Sequence, residues 1–75
     1  MDYTVIIHDA EEGGYWVEVP ALPGCFSQGE TIEEALQNVR EAITLHLEVL
    51  SEEGQQVPQD DIRLIARVSV ALKAE

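Results

Sequence analysis

His8, Cys25 and His46 are the side chains best suited to hold a transition-metal ion, and Cys25 is the one thiol. Structural zinc sites draw on paired ligands a few residues apart, and these three residues show no such pairing. Cys25 follows a turn and has no basic neighbour in sequence to activate it, so it reads as a small buried residue. The acids Asp9, Glu11 and Glu12 fall in one turn, and Asp60 and Asp61 precede the last apolar run. Paired carboxylates can hold Mg²⁺ or work as acid and base. Turns, however, select Asp for its local backbone hydrogen bonds, and these acids read as solvated turn and loop residues. The chain has no phosphate loop, no glycine-rich dinucleotide motif and no recognisable Ser-His-Asp arrangement. The residues therefore imply no enzyme, no cofactor and no metal.

Charge narrows the partners. The 75 residues carry 15 acids against 4 bases, a formal net charge of −11. Nucleic-acid backbones require clustered Lys and Arg, so direct DNA binding is not expected. An acidic domain suits a basic protein partner, whose encounter it accelerates, although solubility alone also explains the charge. The N-terminal apolar run is too short for a signal or a membrane span. With one cysteine there is no disulfide, which places the chain in the cytoplasm as one domain over residues 1–75. A chain this short buries only about 60% of its unfolded surface, which makes oligomerisation an attractive source of stability.

The elements follow from pattern. Tyr3 to His8 is β-branched and aromatic and reads as a strand, with Tyr3, Val5 and Ile7 on one face and Thr4, Ile6 and His8 on the other. Asp9 to Gly14 is a turn, and Tyr15 to Val19 is the second strand of a hairpin. Pro20 stops that strand, Pro23-Gly24 centres the next turn, and Cys25 to Gln28 is a short third strand. Thr31 to Gly54 is a helix. Thr31 is its N-cap, Glu34 sits at the capping-box position, and Gly54 ends it. Ile32, Ala35, Leu36, Val39, Ile43, Leu47 and Leu50 form its apolar stripe, with Ala42, Leu45 and Val49 as a second row beside it. That second row widens the core face or meets a partner subunit.

Residues Ile62 to Leu72 alternate most clearly. Ile62, Leu64, Ala66, Val68, Val70 and Leu72 share one face, which reads as a strand with one buried side. At about 36 Å it is longer than a typical strand, so it bends or its far end pairs with another subunit. Arg63, Arg67 and Lys73 lie on the opposite face, available to acids such as Glu18 across the sheet or to inter-subunit salt bridges. The predicted architecture is α+β, a β-β-β-α-β two-layer sandwich with one long helix on an antiparallel-rich sheet. One helix covers one sheet face and leaves the other to a second copy, so a homodimer or homotetramer is expected.

An ordered set of motifs adds a family resemblance. Tyr15-Trp16-Val17, then Pro20-Ala21-Leu22-Pro23-Gly24-Cys25, then Ser27-Gln28-Gly29-Glu30-Thr31, then Glu34-Ala35 and Asn38-Val39-Arg40-Glu41-Ala42-Ile43, resembles the HicB-like antitoxin family over about two-thirds of the chain. The match is to a short member of the UPF0150 type. The resemblance implies a partial ribonuclease-H-like fold and direct neutralisation of a HicA-type toxin, a small basic ribonuclease. It also implies dimers or tetramers. Many members carry a C-terminal DNA-binding domain, for which a chain ending at Glu75 leaves no room. Tyr15, Trp16, Leu22, Pro23, Gly24 and Cys25 carry the motif and are the partner-interface candidates, joined by Leu45, Val49, Arg63 and Arg67 as oligomer candidates. Fold shaping is the competing role for the motif residues: Pro23 and Gly24 in the turn, Trp16 in packing. The competing function is an orphan oligomeric scaffold or regulatory module, and a vestigial nuclease built on the acids is the remote third.

Overall fold

The computed structural model describes residues 1–73. Three strands and one helix follow in order: β1 (Ile6–Asp9), β2 (Tyr15–Glu18), β3 (Phe26–Gly29) and α1 (Ile32–Glu52). The strands form one antiparallel sheet in the order β1-β2-β3, with Ile7 opposite Val17 and Val17 opposite Ser27. The first hairpin closes where the Ala10 carbonyl accepts from Gly13 N–H at 3.2 Å, with Gly13 and Gly14 at φ of 102° and 75°. Only glycine takes that conformation cheaply.

Two successive turns join β2 to β3. Leu22 N–H donates to the Val19 carbonyl and Cys25 N–H donates to the Leu22 carbonyl, both at 2.9 Å. In the second turn Pro23 supplies the fixed φ and Gly24 the positive one, 86°, the sequence chemistry of a type II turn. The double turn tucks Leu22 beneath itself, where it is fully buried with Val17 and Val19. Each such side chain contributes about 1.5–3 kcal/mol by leaving water.

The capping signals work as read. Glu34 N–H donates to Thr31 Oγ1 at 3.0 Å. Glu34 reaches back to Glu30 N–H at 3.3 Å, one residue before the usual capping-box target. At the other end Gly54 (φ 72°) donates to the Ser51 carbonyl and Gln55 N–H to that of Leu50, the paired bonds of a Schellman motif. The helix lies on the sheet face that carries Ile7 and Val17, with Ala35 and Val39 buried and Ala42, Ile43 and Leu47 packed beside them. The core therefore runs between the two rows of apolar helix residues. Ile32 and Leu36 of the first row stay exposed, as do Leu45 and Val49 of the second.

The C-terminal alternation takes a different course from the one its pattern suggests. Ile62 to Leu72 is neither strand nor helix, and among the described residues its backbone bonds to no other element. Leu64, Val68, Val70 and Leu72 are 80–96% exposed rather than buried. Alternation records that a segment can pair and bury one face; a strand still needs an adjacent edge, and this single chain does not bring one alongside. No described helix is long and apolar enough to cross a membrane.

Candidate interaction surface

The sheet face away from α1 has no covering layer. The register aligns His8, Trp16 and Gln28 in one row across it and Ile6, Glu18 and Phe26 in the next. His8 stacks on Trp16, with ring centroids 4.2 Å apart and planes inclined by 18°. His8 Nε2 also lies 2.6 Å from Glu18 Oε2. The imidazole is thus held against the indole on one side and a carboxylate on the other, which fixes the Trp16 ring on the surface. Trp16 is 38% exposed and Phe26 66%.

At the hairpin end of this face Trp16 and Phe26 line a cleft of about 700 Å³, whose rim is Asp9, Glu11 and Glu12. Apolar rings beside carboxylates that, among the described residues, have no cationic partner make a surface for a ligand both apolar and basic. Amphipathic aromatics are the residues that most often anchor such contacts.

The residues singled out from sequence are not brought together. Trp16 and Phe26 share the open face, whereas Tyr15, its neighbour in sequence, turns to the core side and packs there half-buried. Leu22 is fully buried and Cys25 is 6% exposed, so both shape the fold and offer no contact surface. Burial pushes the Cys25 thiol above its ordinary value, which disfavours a thiolate nucleophile. Pro23 and Gly24 are exposed at the turn. Leu45 and Val49 flank a second shallow groove of about 450 Å³ with Phe26, Cys25 and His46. Arg63 and Arg67 lie on the free C-terminal segment, far from the pairing with Glu18 that a strand would give; Glu18 is engaged by His8 instead. Among the described residues His, Cys, Asp and Glu side chains do not cluster as a metal-ligand set of three or more.

Phe26 escaped the sequence reading because it stands between two motif blocks. Its signal was present: Cys25 points inward, so its neighbour in a strand must point outward. Gly29 leads into the helix cap, and α1 begins almost on top of it. A Cβ there would stand 2.5 Å from Ala35 N and 2.9 Å from Ala35 Cα.

Comparison with known proteins adds a frame for this surface. The family described as HicB_like antitoxin of bacterial toxin-antitoxin system matches residues 3–70. A UPF0150 protein of Thermoplasma acidophilum is 52% identical over 61 residues, covering 81% of this chain and 88% of that one. The N-terminal domain of Burkholderia pseudomallei antitoxin HicB superposes with a TM-score of 0.71 at 42% identity, over 79% of this chain and 69% of that one. The chain spans only 43% of the longer HicB chain from the same organism. A chain in a HicA3 and HicB3 toxin-antitoxin complex superposes with a TM-score of 0.68 at 31% identity, over 81% of this chain and 70% of that one.

Proposed function

This chain belongs to the HicB-like antitoxin family, and from that premise we propose that it binds and neutralises a small basic HicA-type toxin ribonuclease by direct contact. The observation that carries the reading is the exposed Trp16–Phe26 cleft rimmed by Asp9, Glu11 and Glu12. The likeness to a chain in a HicA3–HicB3 complex supports the choice of partner. The rings supply apolar area that a partner desolvates, and the rim attracts and orients a cationic surface. Such a surface inhibits by occupying the partner and needs no chemistry of its own, so the protein acts as a binder, not an enzyme. With 4 bases in the whole chain, DNA is not its ligand. Its place of action is the cytoplasm, where a toxin ribonuclease meets its RNA.

The test is to recover the small basic protein that co-purifies with the tagged chain and to titrate its RNA cleavage with wild-type chain and with Trp16→Ala/Phe26→Ala; recovery of no such ribonuclease would overturn the reading. Wild type should suppress cleavage stoichiometrically. The double variant should bind at least about 30-fold more weakly, the loss typical of central aromatic anchors. Glu11→Lys/Glu12→Lys should slow association and weaken its salt dependence. Full affinity in the double aromatic variant would move the contact off this face.

A further inference from the structure

We propose that His8 is a positioning residue for Trp16 and, granted the toxin-binding reading on which this rests, that protonation of His8 weakens the hold of this face on a basic partner.

The positioning follows from the register. An indole on an open sheet face has several staggered rotamers, and a partner that binds one of them must suppress the others. Trp16 stands on the central strand, with His8 opposite it on β1 and Gln28 opposite it on β3. The imidazole lies against the indole with ring centroids 4.2 Å apart, and its Nε2 is 2.6 Å from Glu18 Oε2. The two contacts act in series: Glu18 fixes His8, and His8 fixes Trp16. Both survive a change of charge, because a neutral imidazole carrying its proton on Nε2 still donates to Glu18 and still stacks.

Protonation changes the charge of the face instead. Histidine is the side chain that ordinarily gains its proton between about pH 5 and 8. Glu18 faces His8 from β2, and Asp9, Glu11 and Glu12 rim the cleft that Trp16 lines at the hairpin end. β3 contributes Gln28 and Phe26, which do not titrate, and α1 covers the opposite sheet face. Asp60 lies against the approach to β1, where Thr4 and Ile62 bond it. Among the described residues, the titratable groups around the ring are therefore acids. With His8 neutral, Glu18 adds its full charge to an acidic face. With His8 protonated, that charge is cancelled and a cation rests on the indole, whose electron-rich faces are what a partner's Arg or Lys would seek. Both changes oppose a cationic ligand. Neither alters the apolar area of Trp16 and Phe26, so binding weakens without being abolished, by about two- to fivefold, the scale of one exposed charge pair.

The contact is tested on the full chain alone, so its result stands apart from the toxin-binding reading. Trp16 is the one tryptophan. An imidazolium touching an excited indole quenches it by accepting an electron, which the neutral ring does poorly. Indole emission should therefore fall in one step as the pH is lowered from about 8 to 5. The ring-proton shifts of His8 should move with the same midpoint, which assigns the step without any substitution. His8→Phe should remove the step, and His46→Gln, on α1, should keep it. His8→Ala should speed the local motion of the indole in time-resolved anisotropy. Coupling to binding is tested with the co-purifying basic ribonuclease at both ends of the same pH range. The ratio of acid to neutral dissociation constants should be about two- to fivefold larger for wild type than for His8→Phe, a comparison from which the partner's own titration cancels. Emission without a step, or a step that persists in His8→Phe, would overturn the positioning contact. A step accompanied by equal ratios would overturn the coupling. Recovery of no ribonuclease would remove the coupling together with the toxin-binding reading, and the emission step would then decide the contact alone.

Discussion

Substituting Gly29 tests the packing of helix on sheet at its tightest point. Gly29 ends β3 opposite Tyr15, and its φ is ordinary, so no left-handed conformation requires glycine there. The requirement is steric: an added Cβ would meet Ala35 N at 2.5 Å, Ala35 Cα at 2.9 Å and the Glu34 carbonyl carbon at 2.9 Å. All three are backbone atoms of the first helical turn and cannot rotate aside. Gly29→Ala must push that turn away from the sheet, loosening Ala35, which is fully buried. Overpacking of this kind costs about 1–3 kcal/mol. At about 4–8 °C per kcal/mol for a domain of this size, the melting temperature should fall by about 4–24 °C. The assay is far-UV circular dichroism against temperature at matched protein concentration, since any association also shifts the midpoint. Gly24 is the control, because its φ is 86° and a Cβ there meets nothing within 4 Å. Gly24→Ala should cost about 1–2 kcal/mol through backbone strain alone. Asn tolerates the left-handed region, so Gly24→Asn should recover part of the loss, whereas Gly29→Asn should recover none. A Gly29→Ala protein that melts with the wild type would refute the steric argument.

Two further substitutions separate fold from function. Leu22→Ala should destabilise by about 2–5 kcal/mol, read as a lower urea midpoint, because it empties a fully buried site; a stable protein with lost toxin affinity would instead return Leu22 to the interface. The Thr4 hydroxyl, Ile62 N–H and Thr4 N–H hold the Asp60 carboxylate below its ordinary value of 3.8. A depressed folded-state value stabilises above the unfolded one and fades as the pH falls through the folded one. Asp60→Asn should therefore be less stable than wild type near neutrality and converge with it in strong acid. A difference that persists undiminished in acid would show that the carboxylate charge is not what holds this junction.

Much of the framework was legible because local chemistry dictates it. Thr31, Glu34 and Gly54 bounded the helix within a residue or two, since caps satisfy backbone groups that no distant residue can reach. Gly13-Gly14 and Pro23-Gly24 placed the turns for the same reason, and alternation put Val5 and Ile7 on one face, although only the structure shows that this face packs on the core. The candidate surface was only half legible. Trp16 was identified, but its stacking on His8 and its shared cleft with Phe26 depend on strand register, which brings together residues distant in the chain. Leu22 and Cys25 carried the same motif and proved to be core, because a motif does not distinguish a residue that shapes a turn from one that presents a surface.

By itself the sequence determined the order of three strands and a capped helix, the acidic balance, and the family resemblance, all properties of residue type and short-range spacing. Tertiary structure decided which row of the helix faces the sheet, which aromatics stay in water, and that Ile62–Leu72 has no edge of its own alongside. Periodicity states that a segment can bury a face; the arrangement of the other elements decides whether anything is there to bury it against.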